Sequence, residues 1–236
     1  MSRERFGATH EIDAFDVRTV ARAQDPRWFD GWRTGSLRVI ATQDLDAAAL
    51  AELDAAEQVH LVSIEVAAPA DLAYLQTAWA LARWLVARGG AIVLDAHAMT
   101  FRAGAALPAA DAPLDVAREV RRVFETSSTR ADLAHALHTR GMRKFGAPDI
   151  VALCTDADAR FVASAMGQLA NAVARGVDIA TPRFEVELVP GLRWYLVDDE
   201  HRLGELLQLN NAARVLVDEQ GRDLMGVLGR LPRGTG

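Results

Sequence analysis

The chain has 236 residues, half of them apolar, and a formal charge of -6 at pH 7, which allows a sizeable core in one large or two small domains. The negative balance argues against charge-driven binding to nucleic acid or to a membrane surface, and no run of about eighteen uncharged apolar residues suggests a membrane span. A single cysteine, Cys154, excludes an internal disulfide framework and a multi-cysteine zinc site.

Met1-Ser-Arg-Glu-Arg-Phe has no apolar run behind it, so no secretory signal is expected and a reducing cytoplasm is the expected setting. Richness in alanine and arginine with few lysines suggests a GC-rich bacterial genome. Taken in order, Ala14 to Ala23 predicts a short helix. Arg27-Trp-Phe-Asp-Gly-Trp32 places three aromatics together, a cluster expected to fold back over a core edge, since large aromatics are ordinarily packed. Leu37-Arg-Val-Ile-Ala41 predicts a strand, and Asp44 is a good N-cap for an alanine-rich helix running to Glu57.

The most complete pattern runs from His60 to His97. His60-Leu-Val-Ser-Ile-Glu-Val66 has the β-branched content of a strand. From Ala70 to Arg88 apolar residues step by three and four through Leu72, Leu75, Trp79, Ala82 and Val86, which predicts a helix buried on a wide face. Gly89-Gly90 supplies the left-handed turn past its end, and Ala91-Ile-Val-Leu94 predicts a second strand. If Val62 and Ile92 lie in one sheet, the connection is a right-handed crossover. Met99 and Phe101 extend the second strand, and Ala103 to Pro113, with Gly104, Pro108 and Pro113, reads as a long loop, an insertion or lid.

Shifting residue numbers by 87 produces a weak copy. Ile64 and Val66 fall on Val151 and Leu153, Trp79 on Met166, Arg88-Gly89 on Arg175-Gly176 and Ile92 on Ile179. Between the copies, Leu114 to Glu125 predicts a helix with three arginines outward, and a strand begins at about Ala134. The second copy runs through Ile150-Val-Ala-Leu-Cys154, an apolar strand end that makes Cys154 a buried, inert thiol, into a helix from Ala157 to Arg175 capped by Thr155 or Asp156. Arg183 to Val189 and Leu192 to Val197 flank Pro190-Gly191 as a hairpin. Arg202 to Leu209 predicts a short helix, and Ala213 to Val217 with Asp223 to Leu228 a second hairpin. The class expected is α/β, with α+β as the alternative: a single domain over residues 1-236, with pseudo-repeat lobes at about 58-102 and 133-190 on a shared mixed sheet, followed by antiparallel hairpins.

Chemistry gathers in His135-Ala-Leu-His138-Thr-Arg140-Gly-Met-Arg143-Lys144-Phe-Gly-Ala-Pro-Asp149. Three cations and two imidazoles stand beside two glycines in an otherwise acidic chain. Arg140 and Arg143 offer forked donors, Lys144 a point charge and His138 a group that titrates near neutrality, a set suited to a phosphate or carboxylate. The opposing reading makes the cations a solvated face and ties Asp149 to its own turn. His135 and His138 fall on opposite faces of a strand, which disfavours a shared metal. Asp95 and His97, at a strand end, form a second candidate for metal or proton chemistry, with Glu65, His138 or Asp149 as a third group. No P-loop, Gly-x-Ser-x-Gly elbow, His-Glu-x-x-His helix or dinucleotide fingerprint occurs, and no cofactor is expected.

His138-Thr-Arg-Gly-Met-Arg-Lys-Phe-Gly-Ala-Pro-Asp149 resembles the Thr-Arg-Gly-Met/Leu, Phe-Gly and Pro-Asp/Glu string of an uncharacterised bacterial domain family, over about residues 37 to 200. The resemblance implies no activity, substrate or cofactor. Two functions are therefore carried forward. The first is a binding or interaction protein using the turn from His138 to Asp149 for an anionic small molecule or a partner protein. The second is a hydrolase or metal-assisted enzyme built on Asp95, His97 and His138.

Overall fold

Asp149–Cys154 is buried at every position, and its side chains alternate between two apolar clusters: Ile150, Ala152 and Cys154 enter one, Val151 and Leu153 the other. Such a strand has to lie in the middle of a sheet covered on both faces. In the computed structural model, which describes residues 14–66, 71–89, 92–109, 112–125, 135–154, 156–189 and 192–219, that is where it lies. The chain divides between Leu114 and Asp115 into two compact units.

In the first unit, β1 (Ala14–Ala21) pairs antiparallel with β2 (Gln58–Glu65) over eight residues, Phe15 opposite Ile64 and Val20 opposite Val59. The helix expected at Ala14 to Ala23 is therefore a strand, because Phe15, Val17 and Thr19 alternate and β2 supplies the partner. Helices α1 (Arg27–Arg33), α2 (Ser36–Asp44) and α3 (Ala47–Ala55) follow. The strand expected at Leu37 to Ala41 lies inside α2. Leu37, Ile40 and Ala41, spaced by three and four, join the cluster of Phe29, Trp32 and Phe101, while Val39 is 63 % exposed. One helical face of that cluster outweighs the β-propensity of the Val-Ile pair.

The N-cap of α3 is Asp46, which accepts from the Ala49 N–H at 2.8 Å. Asp44 instead accepts the Phe101 N–H at 2.9 Å. Two of the three clustered aromatics are core, as expected: Phe29 is fully buried and meets Trp32 edge-on at 5.2 Å, whereas Trp28 is 41 % exposed. Beyond α4 (Ala73–Val86), which buries Leu75, Trp79 and Leu81, β3 (Ile92–Asp95) turns directly back as β4 (Thr100–Ala103). Met99 and Phe101 thus belong to a hairpin and do not extend β3, and no crossover joins Val62 to Ile92, whose strands lie in different two-stranded sheets. Of the loop after Ala103, Gly104–Ala106 forms a 3-10 turn.

The second unit carries the mixed sheet, with the antiparallel hairpin the sequence predicts. Its short helix α5 (Val116–Glu119) gives way at once to β5 (Arg121–Glu125). The single helix expected from Leu114 to Glu125 breaks because Arg121-Arg-Val-Phe-Glu pairs residue for residue with β6 (His135–Arg140). The order is β5, β6, β7 (Asp149–Cys154), β10 (Ala213–Asp218), β9 (Leu192–Asp198), β8 (Arg183–Val189). Only β7 and β10 run parallel. Helix α6 (Asp156–Ala174) covers one face through Val162, Ala165, Met166 and Leu169. The other face is covered by α7 (Leu203–Leu206) and its flank, through Leu203, Leu207 and Leu209.

All six strands of this sheet come from the second unit, so the first lobe does not share it. At the 87-residue shift, Leu75 and Val162 are both buried, as are Trp79 and Met166, and Gly89 and Gly176 both take positive φ, 107° and 93°. The two stretches part afterwards. Ile92 enters a hairpin, whereas Ile179 lies in an irregular stretch whose carbonyl accepts from Arg214 at 2.7 Å. Arg214, only 4 % exposed, also donates to the Pro182 and Leu196 carbonyls, so a buried cation pins this segment. Asp223 to Leu228, the far strand of the second hairpin, lies outside the described residues.

Candidate functional site

The turn between β6 and β7 reverses the chain through two left-handed glycines, Gly141 at φ 109° and Gly146 at φ 70°, flanking a 3-10 turn over Met142–Phe145. A β-carbon is disfavoured at such φ values, which explains both glycines. Met142 is fully buried between them and anchors the turn in the core beneath α6.

The polar groups close on one another. The Thr139 hydroxyl donates to Asp149 Oδ1 at 3.0 Å and accepts the Ile150 N–H at 2.8 Å, while the Met142 N–H donates to the same carboxylate oxygen at 3.3 Å. Asp149 Oδ2 is buried and makes no hydrogen bond among the described residues. Burial raises the carboxyl's pKa above 3.8, opposed in turn by Asn211, the Met142 N–H, Thr139 and the charge of Arg140. Asp149 is thus tied to its own turn, as the opposing reading had it.

The cations are largely spent in the same way. Arg140 donates to the Leu207 and Gln208 carbonyls at 3.1 and 3.3 Å, and its own burial is the chief cause lowering its pKa. Lys144, the only lysine of the chain, meets Glu119 at 2.6 Å with side chains 8 % and 2 % exposed. Arg143 alone of the three is exposed. His138 is fully buried, its Nε2 3.2 Å from Glu125 Oε1 and its Nδ1 3.4 Å from the Thr139 carbonyl.

Burial pushes the His138 pKa below its ordinary 6.5, the bond to Glu125 opposes the shift, and Arg140 adds to it. The folded state therefore binds this proton less readily than the unfolded chain. The resulting stability is present above pH 6.5 and is lost as the pH falls from there through the folded value. His138→Gln, which cannot take up a proton, is expected to flatten that part of the stability profile, measured as urea midpoints between pH 7 and pH 5; superimposable profiles would show that His138 does not carry it.

Asp95 and His97 do not form a common strand face. β3 ends at Asp95, whose Oδ1 accepts the His97 and Ala98 N–H groups at 3.1 and 3.0 Å, the geometry of an Asx turn. They belong to the first unit and His138 to the second, and no group of three His, Cys, Asp or Glu placed to hold a metal occurs among the described residues. Cys154 is buried, as its apolar setting predicts.

One opening was missed by the sequence reading. Between edge strand β5 and α6 lies a hollow of about 270 Å³ lined by Arg122, Val123, Phe124, Leu137, Ala159, Arg160 and Ala163. Phe124 is 47 % exposed and stacks on His135 at 4.4 Å. Arg122 lies along α6, donating to the Ala163 carbonyl at 3.1 Å, and a β-carbon on Gly167 would stand 3.3 Å from its Nη1. A mid-helix glycine costs about 1 kcal/mol relative to alanine, and here it leaves room for a guanidinium beside the hollow. The signal in sequence was the pair Arg122 and Phe124, two apart and so on one strand face, a relation hidden once the segment is read as helix. Set against family models, curated proteins and solved structures, the chain finds no match.

Proposed function

We propose that the chain is a non-enzymatic binding protein of the cytoplasm that takes up a small amphipathic anion, an apolar body bearing a carboxylate or phosphate, in the hollow between β5 and α6. The observation that carries this reading is a hollow whose lining joins apolar Leu137, Ala159 and Ala163 to the cations Arg122 and Arg160. Sites of this composition use apolar contact for affinity and a few charged donors for orientation. Arg122 uses one nitrogen on Ala163, and a guanidinium has further donors to offer an anion.

The basic turn serves this reading as frame. Its cations, apart from Arg143, are engaged by Glu119 and by the carbonyls of Leu207 and Gln208. In this chain the Thr-Arg-Gly-Met, Phe-Gly, Pro-Asp string closes a β-turn-β corner. Thr139 and Asp149 bond each other, Gly141 and Gly146 take positive φ, and Met142 fills the core.

The test is titration with anilinonaphthalene sulfonate, an apolar anion whose emission rises on leaving water, in competition with decanoate. Saturable, decanoate-displaceable binding is expected. The double variant Arg122→Ala, Arg160→Ala should weaken it about tenfold or more, the effect of losing roughly 1.5 kcal/mol of charged hydrogen bonding. Arg143→Ala should leave it unchanged. Binding that survives the double variant but is lost with Arg143→Ala would return the site to the turn, and no saturable binding at all would overturn the reading.

A further inference from the structure

From the β1–β2 ribbon we infer that the chain forms a two-fold homodimer by pairing β1 edge to edge with β1 of a second copy, an inference independent of the anion site. Among the described residues the ribbon is a sheet of two strands. Two-stranded ribbons are marginal in water, and a third or fourth strand is what ordinarily makes such a sheet stable. Its core-directed face is anchored at one end, where Val20 is buried and Val59 packs on the first unit's cluster. Toward the other end both strands keep polar or half-buried side chains, with Asp16, Arg18, Ser63 and Glu65 exposed and Val62 40 % exposed.

The occupant follows from the charges on β1. Asp16 and Arg18 are two apart, so they point to the same face. An antiparallel pairing of two identical strands places residues opposite one another in a mirror order about the two-fold axis. Centred on Val17, it sets Asp16 of each copy against Arg18 of the other, giving two opposite-charge pairs. Moved so as to centre on Asp16 or on Arg18, it sets like charges face to face. Of these three registers, all of which keep the same faces together, charge favours the one centred on Val17.

The opposite face agrees with that register. Val17 pairs with Val62 and Phe15 with Ile64 within one ribbon. Centring on Val17 produces a row of four valines, Val62, Val17 and their symmetry mates, across the four strands made by two ribbons. Phe15 then falls opposite Thr19, whose hydroxyl is 2.9 Å from His60 Nδ1. Within the ribbon Asp16 and Arg18 face the neutral Ser63 and Leu61, so exchanging their charges leaves the ribbon's own pairing intact.

The experiment is sedimentation equilibrium of the full chain up to about 100 µM, a range that detects the weak end of specific association. Wild-type protein is expected to reach twice the monomer mass. Asp16→Arg alone and Arg18→Asp alone should each weaken dimerisation about tenfold or more, because each creates two like-charge pairs. Mixing these two variants should restore dimer as a heterodimer, and the double variant Asp16→Arg, Arg18→Asp should restore it as a homodimer. Folding of each variant is checked by circular dichroism. A wild-type chain monomeric throughout, single variants that dimerise like wild type, or folded variants whose mixture stays monomeric would each overturn the inference.

Discussion

Replacing Lys144 with methionine is expected to destabilise the second unit by about 3–5 kcal/mol, the usual cost of removing one member of a buried ion pair. Glu119 is 2 % exposed and lies 2.6 Å from the ammonium, so its charge has little access to water once the cation goes. Glu119→Met should cost about as much for the mirrored reason. The double variant should recover most of the loss, since two apolar side chains of similar volume avoid the desolvation that the ions undergo. Urea unfolding of the full chain, with hydrogen exchange in β6 and β7 locating the transition, reads all three. A single variant that costs less than about 1 kcal/mol would place the pair effectively in solvent.

Asp149→Ala is expected to cost about 2–4 kcal/mol, because it strands the Met142 N–H and leaves the Thr139 hydroxyl with no acceptor in the core. Both donors reach the same Oδ1. Asp149→Asn keeps that acceptor and removes a buried charge, so at neutral pH it should cost less than half as much. The pH profiles add a sign. The raised carboxyl pKa means that this group's contribution is fully present below 3.8 and is lost as the pH rises through the folded value. The asparagine variant should therefore lose least, relative to wild type, at neutral pH. An asparagine as harmful as alanine would mean that the carboxylate charge itself holds the turn.

Sequence patterning was most informative where a single period ruled. The strand ending in Cys154, the helices around Trp79 and Met166, and the hairpin from Arg183 all follow from spacing alone, and so does the α/β class. It misled where two readings fit one segment. Leu37 to Ala41 has the composition of a strand and the spacing of a helix face, and contact with Phe29 and Phe101 decided it. Arg121 to Glu125 was drawn into the preceding helix because apolar residues step by three and four across the junction at Val120, while its true partner, β6, is distant in sequence. The contacts of the basic turn were hidden for a related reason. A string of cations in sequence does not reveal that Glu119, Leu207 and Gln208 will meet them in space.

Seclusion of the one ammonium side chain at Lys144 has a practical corollary. Acylating reagents, aldehyde fixatives and enzymes that attach groups to ε-amines find no other side-chain amine to attack, and this one is reached only when α5 and the corner at Met142 come apart. Its rate of acylation in otherwise native protein is consequently a clock for breathing of the second unit, read from one atom without any engineered label.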